Sequence, residues 1–484
     1  MRSLVVALIA AGGCASPPLG TQPPPPDPCG EVLCITEPPL KNKADILFVL
    51  DDGPTMGAKL DAFRAALPSF VGELDDAAQL GSPVSYHLGV VTADLGAGTQ
   101  ANAALGCRPD GDGAKLRASG DMTGGVRYID DNQLTATSNV PDVAAALAAI
   151  TDVGTAGCEL RQPLEAAYRV LHDRISENAG FLRADAVLAV FFVTDADDCS
   201  APVTTDLFDA GATAYGPLVP FRCTQFGVQC NGQPVPPTSI SGLTGCSSYD
   251  VSNGGKLTDL DTYIHFFTKP AAQGGVKVDP GDVILAGLIA PKDPVGVTIT
   301  SPCADDASIA QCATLSHSCM SPTDPRLFGD PAVRLASVIT SSRNNVETSV
   351  CDADDTQALR SLGDLLFLRT TSACLQQPVA NRTDGTPDCI VTDVTANPDG
   401  TTTTREVPSC AENGHVTPCW QLVDHLADYD AEGCATSAPT CTLHPSCVPV
   451  TNPLDGTRQL YTVTVDRGGA IPPGTATQVS CAAP

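Results

Sequence analysis

Two short apolar runs, each stopped by aspartates, constrain this chain more than any other feature. The first lies in residues 43–56, KADILFVLDDGPTM, and the second in residues 187–200, VLAVFFVTDADDCS. An uninterrupted run such as residues 46–50 suits a strand buried on both faces, as in a parallel sheet covered by helices. Open α/β sheets build their ligand crevices at the carboxyl ends of such strands. Asp51 and Asp195 are therefore expected at one crevice, in a pairing suited to a divalent cation.

To about residue 370 the chain alternates strand and helix patterns. Leu60, Phe63, Leu67, Phe70, Val71 and Leu74 give residues 56–77 a helical apolar stripe. Strands are expected at 86–92, at 186–194 and at 283–290. Helices are expected at 140–150, 164–173, 257–267, 332–339 and 355–369. The alternation predicts an α/β fold with a doubly wound, mostly parallel sheet. Residues 200–255, rich in Cys, Gly and Pro, read as an insertion into a domain spanning 43–373. From 374 to 484 the composition turns to Cys, Thr, Pro and Asp, and residues 460–465 alternate as a strand. This part reads as a small disulfide-rich β-rich module. Residues 107–351 hold ten cysteines and the segment from Cys374 onward holds eight. A boundary before Cys374 lets each part pair internally, although bridges between the parts balance the count equally well.

The first 13 residues read as an export signal: Arg2, an apolar stretch at 4–11, and the small residues Ala11, Gly12 and Gly13. Cleavage there leaves Cys14 at the new terminus, which resembles the lipobox of bacterial lipoproteins. An ordinary signal peptide with a chance cysteine is the alternative. Residues 14–42 are proline-dense and read as an extended spacer. Setting Cys14 aside, 20 of the 21 cysteines remain, which fits an oxidising compartment and up to ten disulfides. A formal charge of −28 argues against nucleic-acid partners. No later segment reaches the ~20 uninterrupted apolar residues of a membrane helix, so membrane contact is expected only through the lipid. The chain is expected to be exported and membrane-anchored, in the periplasm or on the outer surface.

Asp51 and Thr55 fall on the turn after the first strand, Asp195 ends a second strand, and Thr155 offers a loop hydroxyl. This pattern resembles the von Willebrand factor type A domain, in particular the cysteine-rich versions on bacterial surface lipoproteins. The family's metal-ion-dependent adhesion site reads Asp-x-Ser-x-Ser, then a separate Thr, then an Asp after a later strand. Asp51, Gly53 and Thr55 fall on the first motif, Thr155 lies in VGTAGCELRQPLEAA, and Asp195 lies in VFFVTDADDCS. The resemblance covers roughly residues 43–370. It implies that Asp51, Thr55, Thr155 and Asp195 hold Mg²⁺ (or Mn²⁺ or Ca²⁺), with Asp52, Gly53 and Asp197 around them. It also implies a protein partner whose acidic side chain completes the metal shell. Gly53 departs from the family's serine, and a water would take the missing hydroxyl's place. The alternative is a site without metal, in which these residues cap and hydrogen-bond.

Asp197 and Asp198 read as a solvated acidic loop beside Cys199, or as neighbours of the metal. Trp420, the single tryptophan, reads as packing against a disulfide. The chain has no HExxH, GxSxG, P-loop or strand-following GxGxxG, and its seven histidines are scattered. The expected function is an exported, lipid-anchored protein mediating divalent-cation-dependent protein binding or adhesion at the cell envelope. A metal-independent scaffolding surface protein and an envelope enzyme are the alternatives, and the enzyme is not expected.

Overall fold

Side chains alternate across a strand, so a strand without polar positions needs cover on both faces. The computed structural model describes residues 34–36, 41–79, 84–100, 102, 105–173, 175–370, 375, 377–382, 388–396, 402–426, 449–466 and 475–482. The export signal, Cys14, most of the spacer and Cys374 lie outside the described residues. Seven strands form the central sheet: β1 (Lys43–Leu50), β2 (Ser85–Thr92), β3 (Ile129–Asn132), β4 (Thr137–Ser138), β5 (Val187–Val193), β6 (Val283–Ile289) and β7 (Asn344–Ser349). Their order is β7-β6-β5-β1-β2-β3-β4. The first five strands in that order run parallel, and β3 and β4 add an antiparallel edge.

Among the described residues the α-helices are α1 (Gly57–Gln79), α2 (Val143–Ile150), α3 (Pro163–His172), α4 (Phe221–Gly227), α5 (Leu260–Thr268), α6 (Val333–Ile339) and α7 (Thr356–Thr370). Ile46, Phe48 and Leu50 of β1 join Phe191 and Val193 of β5 under α1, α2 and α7. Leu47, Val49, Val190 and Phe192 face the other way, onto α3, α5 and α6. All six residues of the apolar stripe on α1 are buried. Phe63 lies 5.7 Å from Phe48, edge to face, and stacks on Phe191 at 6.0 Å.

The expected insertion at 200–255 proves to be half of a larger cap. Val228–Cys230 pairs with Gln233–Pro234 and Cys246–Ser248, whereas Ile240–Leu243 joins Val295–Thr300, which pairs with Cys312–Ser316. Val219, Phe221, Val228 and Val297 give this cap its own core. Five disulfides, Cys107–Cys158, Cys199–Cys223, Cys230–Cys246, Cys303–Cys312 and Cys319–Cys351, join all ten cysteines of this region.

In the C-terminal part, Cys389–Ala396 pairs with Thr402–Val407 and with Thr475–Ala482. Cys34–Thr36, expected within an extended spacer, adds a strand against residues 480–482. Trp420 is buried with Val391, Val463 and Val479, beside the Cys410–Cys419 bridge. Among the described residues no helix is long and apolar enough to cross a membrane.

Replacing Phe63 with Ala removes the ring that joins α1 to β1 and β5. The expected cost is about 3–5 kcal/mol, read from denaturant unfolding of the disulfide-bonded chain. A cost below about 1 kcal/mol would mean that this aromatic cluster does not hold α1 to the sheet.

Candidate functional site

The chain leaves β1 for β2 on one side and later returns to β5 on the other, so the carboxyl ends of β1 and β5 flank the topological switch point. The ladder runs past β1, with the Asp51 amide donating to the Val193 carbonyl at 2.9 Å. This brings Asp51 and Asp195 to the same opening, with both side chains at most 3% exposed. The Thr194 hydroxyl donates to Asp51 Oδ2 at 2.7 Å, and the Gly53 amide donates to Oδ1 at 2.7 Å.

Two protein cations complete the site. Arg161 Nε lies 2.7 Å from Asp51 Oδ2, while Nη2 donates to Thr55 Oγ1 at 3.0 Å and lies 3.7 Å from Asp195 Oδ1. Arg161 precedes α3 on a loop pinned by the Cys107–Cys158 bridge and by the Cys199 amide donating to its carbonyl at 2.7 Å. From the first turn of α1, Lys59 Nζ reaches Asp195 Oδ2 at 2.5 Å and the Thr55 carbonyl at 2.9 Å. Burial raises the Asp51 carboxyl above its ordinary range, and Arg161 pulls it back. Burial also opposes the charge on Arg161, but Asp51 and Asp195 outweigh it and raise the guanidinium's pKa.

Of the four sequence-predicted metal ligands, Asp51, Thr55 and Asp195 therefore converge, and they do so on Arg161. Thr155 is exposed on the neighbouring loop, and no hydrogen bond joins it to the other three. As arranged, these residues do not fit a resident divalent cation. Both carboxylates already have cationic partners, and a Cβ at position 53 would come within 2.6 Å of Arg161 Nη2. Sequence reasoning missed Arg161 and Lys59. The one signal was Gly53, the departure from the motif that makes room for the guanidinium.

Asp52 is 5% exposed and its carboxyl is pushed up to about 8, by burial and then by Asp51, Asp94 and Asp112. A Cβ on Gly157 would meet Asp52 Cγ at 2.2 Å, so only glycine permits that approach. Asp197 and Asp198 do not form the solvated loop expected of them. Asp197 accepts the Arg334 and Leu335 amides at 3.0 and 3.1 Å, capping α6, and burial raises it to about 6. Asp198 pairs with the buried Arg334 at 3.2 Å and accepts from Ser200 Oγ at 2.5 Å. Arg334 also reaches Asp250 at 2.5 Å. A lone arginine 136 positions downstream gives no local sign that it will neutralise that loop.

Above Arg161 and Asp195 opens a cavity of about 300 Å³, bounded by Phe221 of the cap and by Glu159, Asp305, His317, Phe328 and Asp330. The Asp330 amide donates to the Asp195 carbonyl at 2.8 Å, which holds this wall against β5. His317 Nδ1 lies 2.7 Å from Asp330 Oδ1, and its ring stacks on Phe328 at 4.1 Å. Burial raises the Glu159 carboxyl, with Arg161 opposing.

No protein-family model matches the sequence, and no curated protein matches it. Among solved structures, the chain is similar to the pilus adhesin SpaC of Lactobacillus rhamnosus GG in its open conformation. The identity is 11% and the TM-score 0.31, covering 92% of this chain and 39% of that one. The pilus adhesin RrgA of Streptococcus pneumoniae aligns at 12% identity and TM-score 0.29, covering 93% of this chain and 57% of that one. The adhesive tip pilin GBS104 of Group B Streptococcus agalactiae aligns at 10% and 0.29, covering 93% and 80%. The chain thus spans about two fifths of SpaC.

A carboxyl that titrates near 8 in the fold, but near ~4 when unfolded, binds its proton more tightly in the native state. The stability this contributes is full below about pH 4 and lost as pH rises through about 8. Asp52→Asn is therefore expected to match the wild type in melting temperature near pH 4 and to exceed it increasingly toward pH 8. A difference that stays constant over that range would mean Asp52 is ionised throughout.

Proposed function

We propose that the chain is an exported surface protein whose α/β domain, of the von Willebrand factor type A kind, binds a protein partner in the crevice between β1 and β5. The crevice itself carries this reading, since it opens at the topological switch point where such sheets take their ligands. Phe221 and Phe328 offer apolar walls, and Glu159, Asp305 and Asp330 offer carboxylates. Arg161 and Lys59 are already engaged by Asp51 and Asp195. The remaining charge is acidic, and it favours a basic side chain on the partner over an acidic one. His317 Nδ1 lies 2.7 Å from Asp330 Oδ1, and in this reading the pair forms part of the crevice's acidic wall. In this reading Cys14 carries the lipid that tethers the domain to the membrane, and the cysteine content matches an oxidising compartment.

Fluorescent lysine-rich peptides are expected to bind the purified, disulfide-bonded chain in a salt-sensitive way. Glu159→Gln together with Asp330→Asn is expected to weaken that binding about tenfold, and glutamate-rich peptides are not expected to bind. Equal binding of both peptide classes would overturn the reading, as would turnover of a peptide or ester substrate lost in His317→Ala. In the producing cell, Cys14→Ser is expected to move the chain from the membrane fraction to the soluble one. Retention in the membrane fraction would rule out a lipid anchor at Cys14.

A further inference from the structure

The region between the two aspartate-bearing strand ends holds two carboxylates, Asp51 and Asp195, and two protein cations, Arg161 and Lys59. Their charges cancel, and together the cations bring the charge of one divalent ion. All four side chains are at most 7% exposed, so each relies on its protein partner to offset the cost of burial. Lys59 is held further by the ring of Phe328, 3.7 Å from its ammonium. Where Arg161 now lies, its guanidinium fills the space that a side chain on residue 53 would take. An added Cβ would sit 2.6 Å from Nη2, 2.8 Å from Nε and 2.9 Å from Cζ, which is inside the guanidinium's contact surface. The Gly53 amide meanwhile still holds Asp51 Oδ1, so the turn keeps its geometry. The glycine and the arginine are therefore one feature, reached from two distant parts of the chain.

We infer that Arg161 and Lys59 are resident counter-ions that take the place of a divalent cation, and that Gly53 admits the guanidinium. The two strand ends are then charge-balanced without metal at every metal concentration the protein meets. Thr55 serves as an acceptor for Arg161 instead of a metal ligand. This inference does not rest on partner binding in the crevice and survives its failure.

The test is a double-mutant cycle in melting temperature on the disulfide-bonded chain, with Mn²⁺ titration of the wild type beside it. Wild type is expected to melt at the same temperature in EDTA and in millimolar Mn²⁺ or Mg²⁺, with no Mn²⁺ bound by paramagnetic resonance or calorimetry. Gly53→Ser is expected to lower the melting temperature by several degrees, because the added atoms collide with Arg161. Arg161→Ala is expected to lower it by roughly 10 °C, because Asp51 is left buried and unpaired. In the Arg161→Ala background, Gly53→Ser should cost little or nothing, so the two changes are strongly non-additive. Stoichiometric Mn²⁺ binding by the wild type, lost in Asp195→Ala, would overturn the inference. Strict additivity of the two substitutions, or full tolerance of Gly53→Ser beside Arg161, would overturn it as well. Should Arg161→Ala fail to fold, Gly53→Ser in the wild type and the Mn²⁺ titration still decide.

Discussion

Strands covered on both faces leave no lateral position for charge, so ionised groups collect at the sheet's two ends, where burial obliges them to pair. At the carboxyl end, Asp51 meets Arg161 and Asp195 meets Lys59. At the amino end, fully buried Asp45 takes the Arg183 amide and guanidinium, each at 2.7 Å, with Lys277 3.8 Å away. Burial pulls Lys277 down to about 8, against the attraction of Asp45. A buried charge stripped of its partner is destabilising by several kcal/mol. These pairs therefore dictate where the loops that carry Arg161, Arg183 and Lys277 must run.

The disulfides serve the same end. Cys107–Cys158 pins the loop that delivers Arg161, and Cys199–Cys223 ties the strand end bearing Asp195 to the base of the cap. Cys319–Cys351 draws the far side of the cap toward the end of β7. Hydrogen bonds and bridges thus hold an irregular, glycine-rich cover over a regular sheet. That cover gives the crevice walls that the sheet alone would lack.

The apolar runs of β1, β5 and β6 and the stripe of α1 were legible because burial on both faces, or along one helix face, leaves a periodic mark. β7, NNVETS, left no such mark, since it sits at the sheet edge and is only half-buried. The cap was legible only in part. Residues 200–255 stood out by composition, but their partner strands at Val295–Thr300 and Cys312–Ser316 pair across a gap that no local pattern records. The strand Cys34–Thr36 is too short for any periodicity to show.

By itself, the sequence determined that β1 and β5 are buried strands and that Asp51 and Asp195 stand at their ends, because side-chain hydrophobicity alone selects a doubly covered sheet. It also marked Gly53 as a missing hydroxyl. Only the tertiary structure decided what answers those aspartates, because Lys59 and Asp195 stand 136 residues apart and Arg161 arrives from a third loop. Which cation reaches a buried carboxylate depends on loop paths in three dimensions, and these follow from packing and disulfides that leave no local trace.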